Sequence, residues 1–594
     1  MTVRIDANLP LSSPTAPPGP VGDADSPLAL AGQARPEPYL LEGERTVVRG
    51  VERGGVAAVD VDGRRIVEAL RSDAGLGVNV VVSPTLIRRE CVGSRGTTLQ
   101  TVLALPTLPL AAFQWSRGEG LEVAFLALPG QKEIRYHAMG STLRAEPPDP
   151  DFGVEVLIHP SPERWTVVEG VDGGIQVQAQ VSESGPVTLL VASGSPTMAS
   201  RALEAGRHLA AHALRSATDQ DPDNVDRLLP LTGVPELDQG VGWATLRLAG
   251  ALRREEMIRP DDWFWAGVGA LASGDAPGAL LAARRVRDGS SALWDGAAAA
   301  PGAALATFLT ARATLLSGKE EGASETLASL SPARLEDIRL RADPSAWAWW
   351  TLALTALADA LRYAASEEDI QGLRSSAARP AGRTPRVLPM VGNRPGIGSA
   401  RWLRALLRGE RPDGGGGHGA ADGHHLAAWT MLASGDVEGG YAAWRATLRQ
   451  GLNGEAGPRG SWSPPGKGAA SVVATLAFGL LGLEPDAPSG RIRVAPVLPS
   501  HLNHFRVRGI RVGEARLDLS YRREGRVHRF QLDPTVGRVP PMVVLEPSLP
   551  FPVSGSVRID GARAELTQAP EGRRTRLSVQ IPVDGPRILE IEEG

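Results

Sequence analysis

The residues best placed to do chemistry in this chain of 594 residues are carboxylates that stand beside tryptophans. Asp261 and Asp262 run directly into Trp263-Phe264-Trp265, and Asp343 opens a segment that holds Trp347, Trp349 and Trp350. Glu455, in Asn453-Gly454-Glu455, comes shortly before Trp462, and Asp422 sits in the Gly-rich stretch from Asp413 to His425. Two carboxyl groups held roughly 5 to 9.5 Å apart can share a hydrolysis: one protonates a leaving oxygen while the other activates water or attacks carbon. A flat indole face, in turn, stacks on the C–H face of a sugar. Eleven of the 13 tryptophans fall between Trp243 and Trp462, so a glycan suits this stretch. Those at helical spacing read as core, whereas Trp263, Trp294 and Trp462 fall near predicted helix ends or loops and are the candidate platforms. A plain structural role stands beside each acid. Asp343 followed by Pro344 has the form of an N-cap with proline at the first helical position, and Asp261 or Asp262 could cap a helix after Pro260.

Other chemistries find less support. His418, His424 and His425 cluster in the Gly-rich stretch without the carboxylate or Cys spacing of a zinc site, so no metal is expected. The glycine run is not followed by Gly-Lys-Ser/Thr, which excludes a phosphate loop, and no cofactor is expected. Cys91 is the sole cysteine and reads as a core filler; it rules out an intrachain disulfide framework. A formal net charge of -4, from 63 basic and 67 acidic residues, gives no field that would gather nucleic acid. No apolar run reaches the roughly 18 to 20 residues of a membrane span. Residues 1–38, rich in Pro, Ser, Ala and Asp, lack the basic and apolar regions of a secretory signal and read as a disordered leader, which makes the cytoplasm the default compartment.

The elements that would have to position these acids change in character along the chain. Between residues 39 and 198, short segments alternate apolar and polar residues between Gly, Pro, Asp and Ser: Val56–Val61, Val78–Val82, Thr98–Leu103, Leu121–Leu126 and Ile175–Val181. That period predicts an N-terminal antiparallel β-sandwich. From residue 199 to 489 the apolar spacing becomes helical. Leu271-Ala272-Ser273-Gly274-Asp275 recurs as Leu432-Ala433-Ser434-Gly435-Asp436, and more loosely as Leu315-Leu316-Ser317-Gly318-Lys319. Glycine can take the left-handed conformation that closes one helix, and the aspartate can cap the next, so the repeat predicts α-hairpins stacked as a solenoid or closed as a toroid. Alternation returns over 490–594, in Ile492–Ala495, Phe505–Arg508, Ala515–Tyr521 and Arg587–Ile591, and predicts a small C-terminal β-sandwich.

Three segments resemble the six-hairpin glycosidases, the superfamily that holds glycogen-debranching amylo-α-glucosidases, rhamnosidases and sugar phosphorylases. Gly479 to Pro499 looks like the join between their helical barrel and C-terminal β domain. Arg259 to Asp275 is similar to a debranching-type segment in which an Arg-Asp pair opens a helix ending in Gly-Leu-x-x-x-x-Gly. Ala342 to Trp350 is similar to the Asp-Ala-Ser-Leu-Trp helix start that carries a carboxylate into the cavity. The resemblance implies an (α/α) toroid with a sugar-binding funnel and action on an α-linked oligosaccharide or polysaccharide. Asp262 or Asp343 would then be the general acid and Glu455 the general base, with inversion by analogy alone. Where the family offers a catalytic Glu, this chain reads Gly460-Ser461-Trp462-Ser463-Pro464-Pro465, and the nearest acid upstream is Glu455. Two alternatives stay open: a catalytically silent carbohydrate-binding homologue, and a phosphorylase, for which Arg401 and Arg459 are available to a phosphate.

Overall fold

Val56–Val61 and Ile175–Val181 are strands in the computed structural model; the second buries every other residue, as its alternation predicts, and the first is buried on both faces except at Ala57. The structure describes residues 30–34, 38–42, 45–82, 86–94, 96–105, 108–149, 151–170, 173–215, 229–231, 235–253, 257, 260–291, 301–341, 344–379, 428–429, 431–432, 435–453, 467–537, 542–551, 553, 557–564, 567–571 and 574–593. Two β-sheet regions, N-terminal and C-terminal, flank a central helical region. The described residues fall into two compact units, one that runs up to Val225 and includes Asn453, and one that holds the remaining helical residues and the C-terminal strands.

The first unit contains a nine-stranded and a seven-stranded sheet. Every pairing described in them is antiparallel, as between Leu110–Trp115 and Val187–Gly194 or between Leu121–Ala127 and Ile175–Val181. Side chains tie the sheets together. Trp115 donates from Nε1 to Ser72 Oγ at 3.1 Å, and Arg89, 1% exposed, reaches across to the carbonyl of Val51 at 2.9 Å. Cys91 is buried in the same interior, and burial pushes its thiol pKa up. Helix α1 (Pro196–Arg215) lies against the outer face of the nine-stranded sheet, with Ala202 and Leu203 on Leu86, Leu103, Ala112, Leu157 and Leu190. The shift to helical composition near residue 199 therefore marks a change of secondary structure rather than of packing unit.

In the second unit the helices are α2 (Pro235–Arg253), α3 (Pro260–Ser273), α4 (Ala276–Ser291), α5 (Pro301–Ser317), α6 (Glu321–Ala328), α7 (Pro332–Arg341), α8 (Pro344–Ala360), α9 (Glu367–Ala378), α10 (Val437–Asn453) and α11 (Lys467–Ala474). A π-helical stretch, Thr475–Leu480, prolongs α11, with Leu481 N donating to Leu476 O at 2.9 Å. Two repeats of the Ser-Gly-Asp sequence have the predicted chemistry. Gly274 and Gly435 take φ of 83° and 91°, the left-handed region. Asp275 and Asp436 each accept from the backbone N–H three residues on, Gly278 at 2.9 Å and Gly439 at 3.0 Å. The looser third copy keeps the left-handed glycine, Gly318, but the N-cap of α6 after it is Glu320, one residue beyond the lysine, and makes no side-chain cap.

The C-terminal strands form a seven-stranded sheet and a six-stranded one. The latter is mixed, because Arg491–Val494 and Met542–Leu545 run parallel. Two pieces of helical-region sequence join these sheets: Leu229–Leu231, just before α2, pairs with His504–Val512, and Leu483–Asp486 pairs with Arg491–Val494. Helices and sheets share one hydrophobic core, in which Phe478 and Leu480 meet Ile492, Val507 and Ile510. Charged side chains border it. Arg493 pairs with Glu484 at 3.0 Å and Glu546 at 2.6 Å, and Arg362 of the turn after α8 pairs with Asp486. The guanidinium of Arg312, on α5, has its pKa lowered by desolvation in spite of the nearby carboxylates of Glu484, Asp359 and Asp486.

Candidate functional site

Helix α3, which carries Asp262, shares one direction with α5, α8 and α11. α3, α5 and α8 pack side by side, α5 against both of the others, and α11 packs on α3. Each finishes on the C-terminal sheets. The carbonyl of Gly274, after α3, lies 3.5 Å from Arg511 Nη1, and the carbonyl of Leu316, in the last turn of α5, accepts from Gly513 N at 2.6 Å. Arg362 follows α8 and pairs with Asp486, and Leu480 O, at the close of the π-helical stretch, accepts from Val497 N at 2.7 Å. The starts of these four helices, at Pro260, Pro301, Pro344 and Lys467, accordingly lie at the other end of the row, about 20 to 25 Å away at 1.5 Å per residue. Glycines let the row close up. A Cβ at Gly269 of α3 would come within 2.8 Å of the Ala470 backbone in α11, and one at Gly267 within 2.7 Å of Leu309 in α5.

Asp262 is the third residue of α3, within its first turn rather than at the N-cap, and is 6% exposed. A carboxylate there is favoured by the free N–H groups and the positive end of the helix dipole. Trp263 next to it is also 6% exposed and belongs to the hydrophobic core, so at most an edge of its ring is open to a ligand. Phe264 fastens α3 to α8, edge-on to Trp349 with centroids 5.5 Å apart, and makes a similar contact with Trp265. Trp347 donates to the carbonyl of Arg379 at 2.8 Å, and Trp444 of α10 to that of Val472 in α11 at 3.1 Å. The eight described tryptophans of the helical region, Trp243, Trp263, Trp265, Trp347, Trp349, Trp350, Trp429 and Trp444, are all buried. Asp343, Glu455, Asp422, Trp294 and Trp462 lie outside the described residues, as do His418, His424 and His425.

A second buried carboxylate of this unit, Asp238, is 9% exposed, and sequence reasoning did not single it out. It stands near the start of α2, which follows the strand Leu229–Leu231 on the C-terminal sheet, so it belongs to the end of the row opposite Asp262. A small cavity at that same far end is lined by Leu271, Ser273, Gly274, Phe478, Ile492 and Arg511, among others, and by no carboxylate. It is a packing gap of the seam between helices and sheet rather than a place for acid and base. Among the described residues no group of three or more His, Cys, Asp or Glu could hold a metal ion, and no helix is long and apolar enough to cross a membrane.

No protein-family profile and no curated protein matches the chain. Among solved structures it is similar to a human-microbiome protein assigned as a kojibiose phosphorylase, at 8% identity and a TM-score of 0.53, over 94% of this chain and 99% of that one. It also aligns with a bacterial glucoamylase solved with acarbose, at 10% identity and a TM-score of 0.47, over 75% of this chain and 94% of that one. The first likeness runs through both β regions and the helices between them. The chain thus shares the overall fold of the first of these structures, with β regions on either side of a helical region.

Proposed function

We propose that the chain is a glycoside hydrolase-like protein that acts on an α-linked oligosaccharide or polysaccharide through a carboxylate pair, within a closed (α/α) toroid that includes the row α11, α3, α5 and α8. The observation that carries this reading is the common direction of that row. Asp262 lies in the first turn of α3, at the end remote from the C-terminal sheets. In sequence, Asp343 directly precedes α8, Trp294 falls between α4 and α5, and Glu455 and Trp462 fall between α10 and α11. Asp422 precedes the helical residues that lead to the Gly435 turn. Their nearness in sequence to the starts of α5, α8 and α11 supports a reading in which two acids and a sugar platform gather near Asp262. In this reading Asp262 or Asp343 protonates the leaving oxygen and Glu455 activates water. Asp422, Trp294, Trp462 and the open edge of Trp263 hold the sugar.

A second reading, a silent carbohydrate-binding homologue, is favoured by one observation: Gly460 to Pro465 contains no carboxylate. Incubation of the full chain with a panel of α- and β-linked oligosaccharides, with and without inorganic phosphate, separates the readings. Release of reducing sugar from α-linked substrates without phosphate supports hydrolysis. Turnover that needs phosphate replaces it with phosphorolysis, and binding without turnover replaces it with the silent homologue.

A further inference from the structure

Away from the helices, the C-terminal sheet contains a chain of titratable groups that the proposed hydrolysis does not use. His528, on the strand Val527–Val536, lies in register between Arg523 of the strand Ala515–Glu524 and Ile591 of the last strand, Arg587–Glu592. The imidazole is 2% exposed. Its Nδ1 is 2.8 Å from the hydroxyl of Tyr521, itself 4% exposed, and its Nε2 is 2.8 Å from Oε1 of Glu593. Arg523 donates to the same carboxylate oxygen at 2.6 Å. Phe551 closes the remaining side, with ring centroids 4.5 Å apart. Glu593 follows the last strand directly, and its backbone N–H donates to Arg526 O at 2.8 Å. The charged and titratable groups facing His528 are thus Tyr521 and Arg523 from one neighbouring strand and Glu593 from beyond the other.

One protonation state satisfies every atom of this relay. With hydrogen on Nε2 alone, the ring donates to Glu593 and accepts from the Tyr521 hydroxyl at Nδ1. A second proton, on Nδ1, makes that nitrogen a donor toward the hydroxyl, whose own hydrogen then has no acceptor among the described residues. A buried donor without a partner is costly. We propose that the Tyr521–His528–Glu593 relay is a pH-sensitive latch that keeps the C-terminal strand in its sheet while His528 is neutral and loosens it on acidification.

The titration of the members runs in the matching direction. Burial, above all, holds the His528 pKa below its ordinary 6.5 in spite of Glu593. The unfolded chain therefore takes up the proton first, and stability falls as pH drops below about 6.5 toward the depressed value. The Glu593 pKa is held below 4.5, first by its hydrogen bond to His528, so its contribution is present above 4.5 and lost as pH falls through its lowered value. Burial pushes the Tyr521 phenol up to about 12, so it stays protonated throughout.

Hydrogen exchange of the full chain, read by mass spectrometry at about pH 7.5 and about pH 5.5 and corrected for intrinsic rates, tests the latch. Protection of residues 587–592, relative to Ile175–Val181 in the other unit, should fall by up to about tenfold per pH unit. In His528→Gln, whose amide offers one acceptor and one donor much as the neutral ring does, protection should stay level. If that variant is loose from the outset, Tyr521→Phe serves instead: with no hydroxyl hydrogen to strand, its pH slope should shrink. Level protection in the unmodified chain, or the same slope in the variant read out, would overturn the proposal.

Discussion

Asp262 shows why a single residue resists a reading from sequence. An aspartate in the first turn of a helix is sufficiently explained by the dipole and the free N–H groups, and that explanation holds whether or not the carboxylate also meets a substrate. Its place in the third position of α3, 6% exposed, is a matter of packing that no spacing rule encodes. Trp263 is the reverse case: its nearness to a helix end implied exposure, but it is as buried as Asp262 beside it. Glycines were more legible, because a left-handed residue has few alternatives. Gly435, at φ 91° with nothing within 4 Å of a would-be Cβ, isolates the backbone cost. Gly435→Ala should destabilise the helical unit by about 1 to 2 kcal/mol in urea unfolding. Gly274→Ala should cost more than Gly435→Ala, because the added methyl would also stand 3.2 Å from Cβ of Arg511. Equal costs would contradict the docking of that turn on the C-terminal sheet.

At the scale of elements, period-two alternation located Ile175–Val181, Ala515–Glu524 and Arg587–Glu592 because each buries mainly one face, while Val56–Val61 is buried on both faces except at Ala57. Pairing was out of reach, since partners are set by tertiary contact: Leu229–Leu231 joins a strand more than 250 residues away in the chain. The Ser-Gly-Asp repeat predicted both the helix stop and the helix start, and the glycine three residues after each aspartate extends it. A Cβ at Gly278 or Gly439 would stand within 2.5 Å of the capping carboxylate. Asp275→Ala and Asp436→Ala should each lower stability by about 1 kcal/mol in urea unfolding, through loss of the cap alone. The same change at Lys319, which precedes an uncapped helix, should leave stability within about 0.5 kcal/mol of the parent.

On the scale of the whole molecule, the order of β, α and β regions was readable from the change of period, because each region is longer than any one element. The shared core of helices and C-terminal sheets was not, since Phe478 and Ile510 carry no mark in the sequence that they meet. A chain ending before Leu483 would strip that core from the ends of α3, α5 and α11, and should give helices that lack cooperative thermal unfolding and aggregate. A soluble, cooperatively unfolding truncation would show that the helices need no C-terminal sheet. The direction of the row follows from that seam, because docking of the helix ends on the sheets leaves Asp262 at the opposite end.

The most direct test of that arrangement is turnover of an α-linked oligosaccharide by the full chain and by Asp262→Asn, Asp343→Asn and Glu455→Gln, with sugar binding measured in parallel. Loss of the general acid or the general base should lower kcat by about a hundredfold or more while binding stays within a few-fold of the parent. Full turnover in all three variants, each still binding sugar, would contradict it.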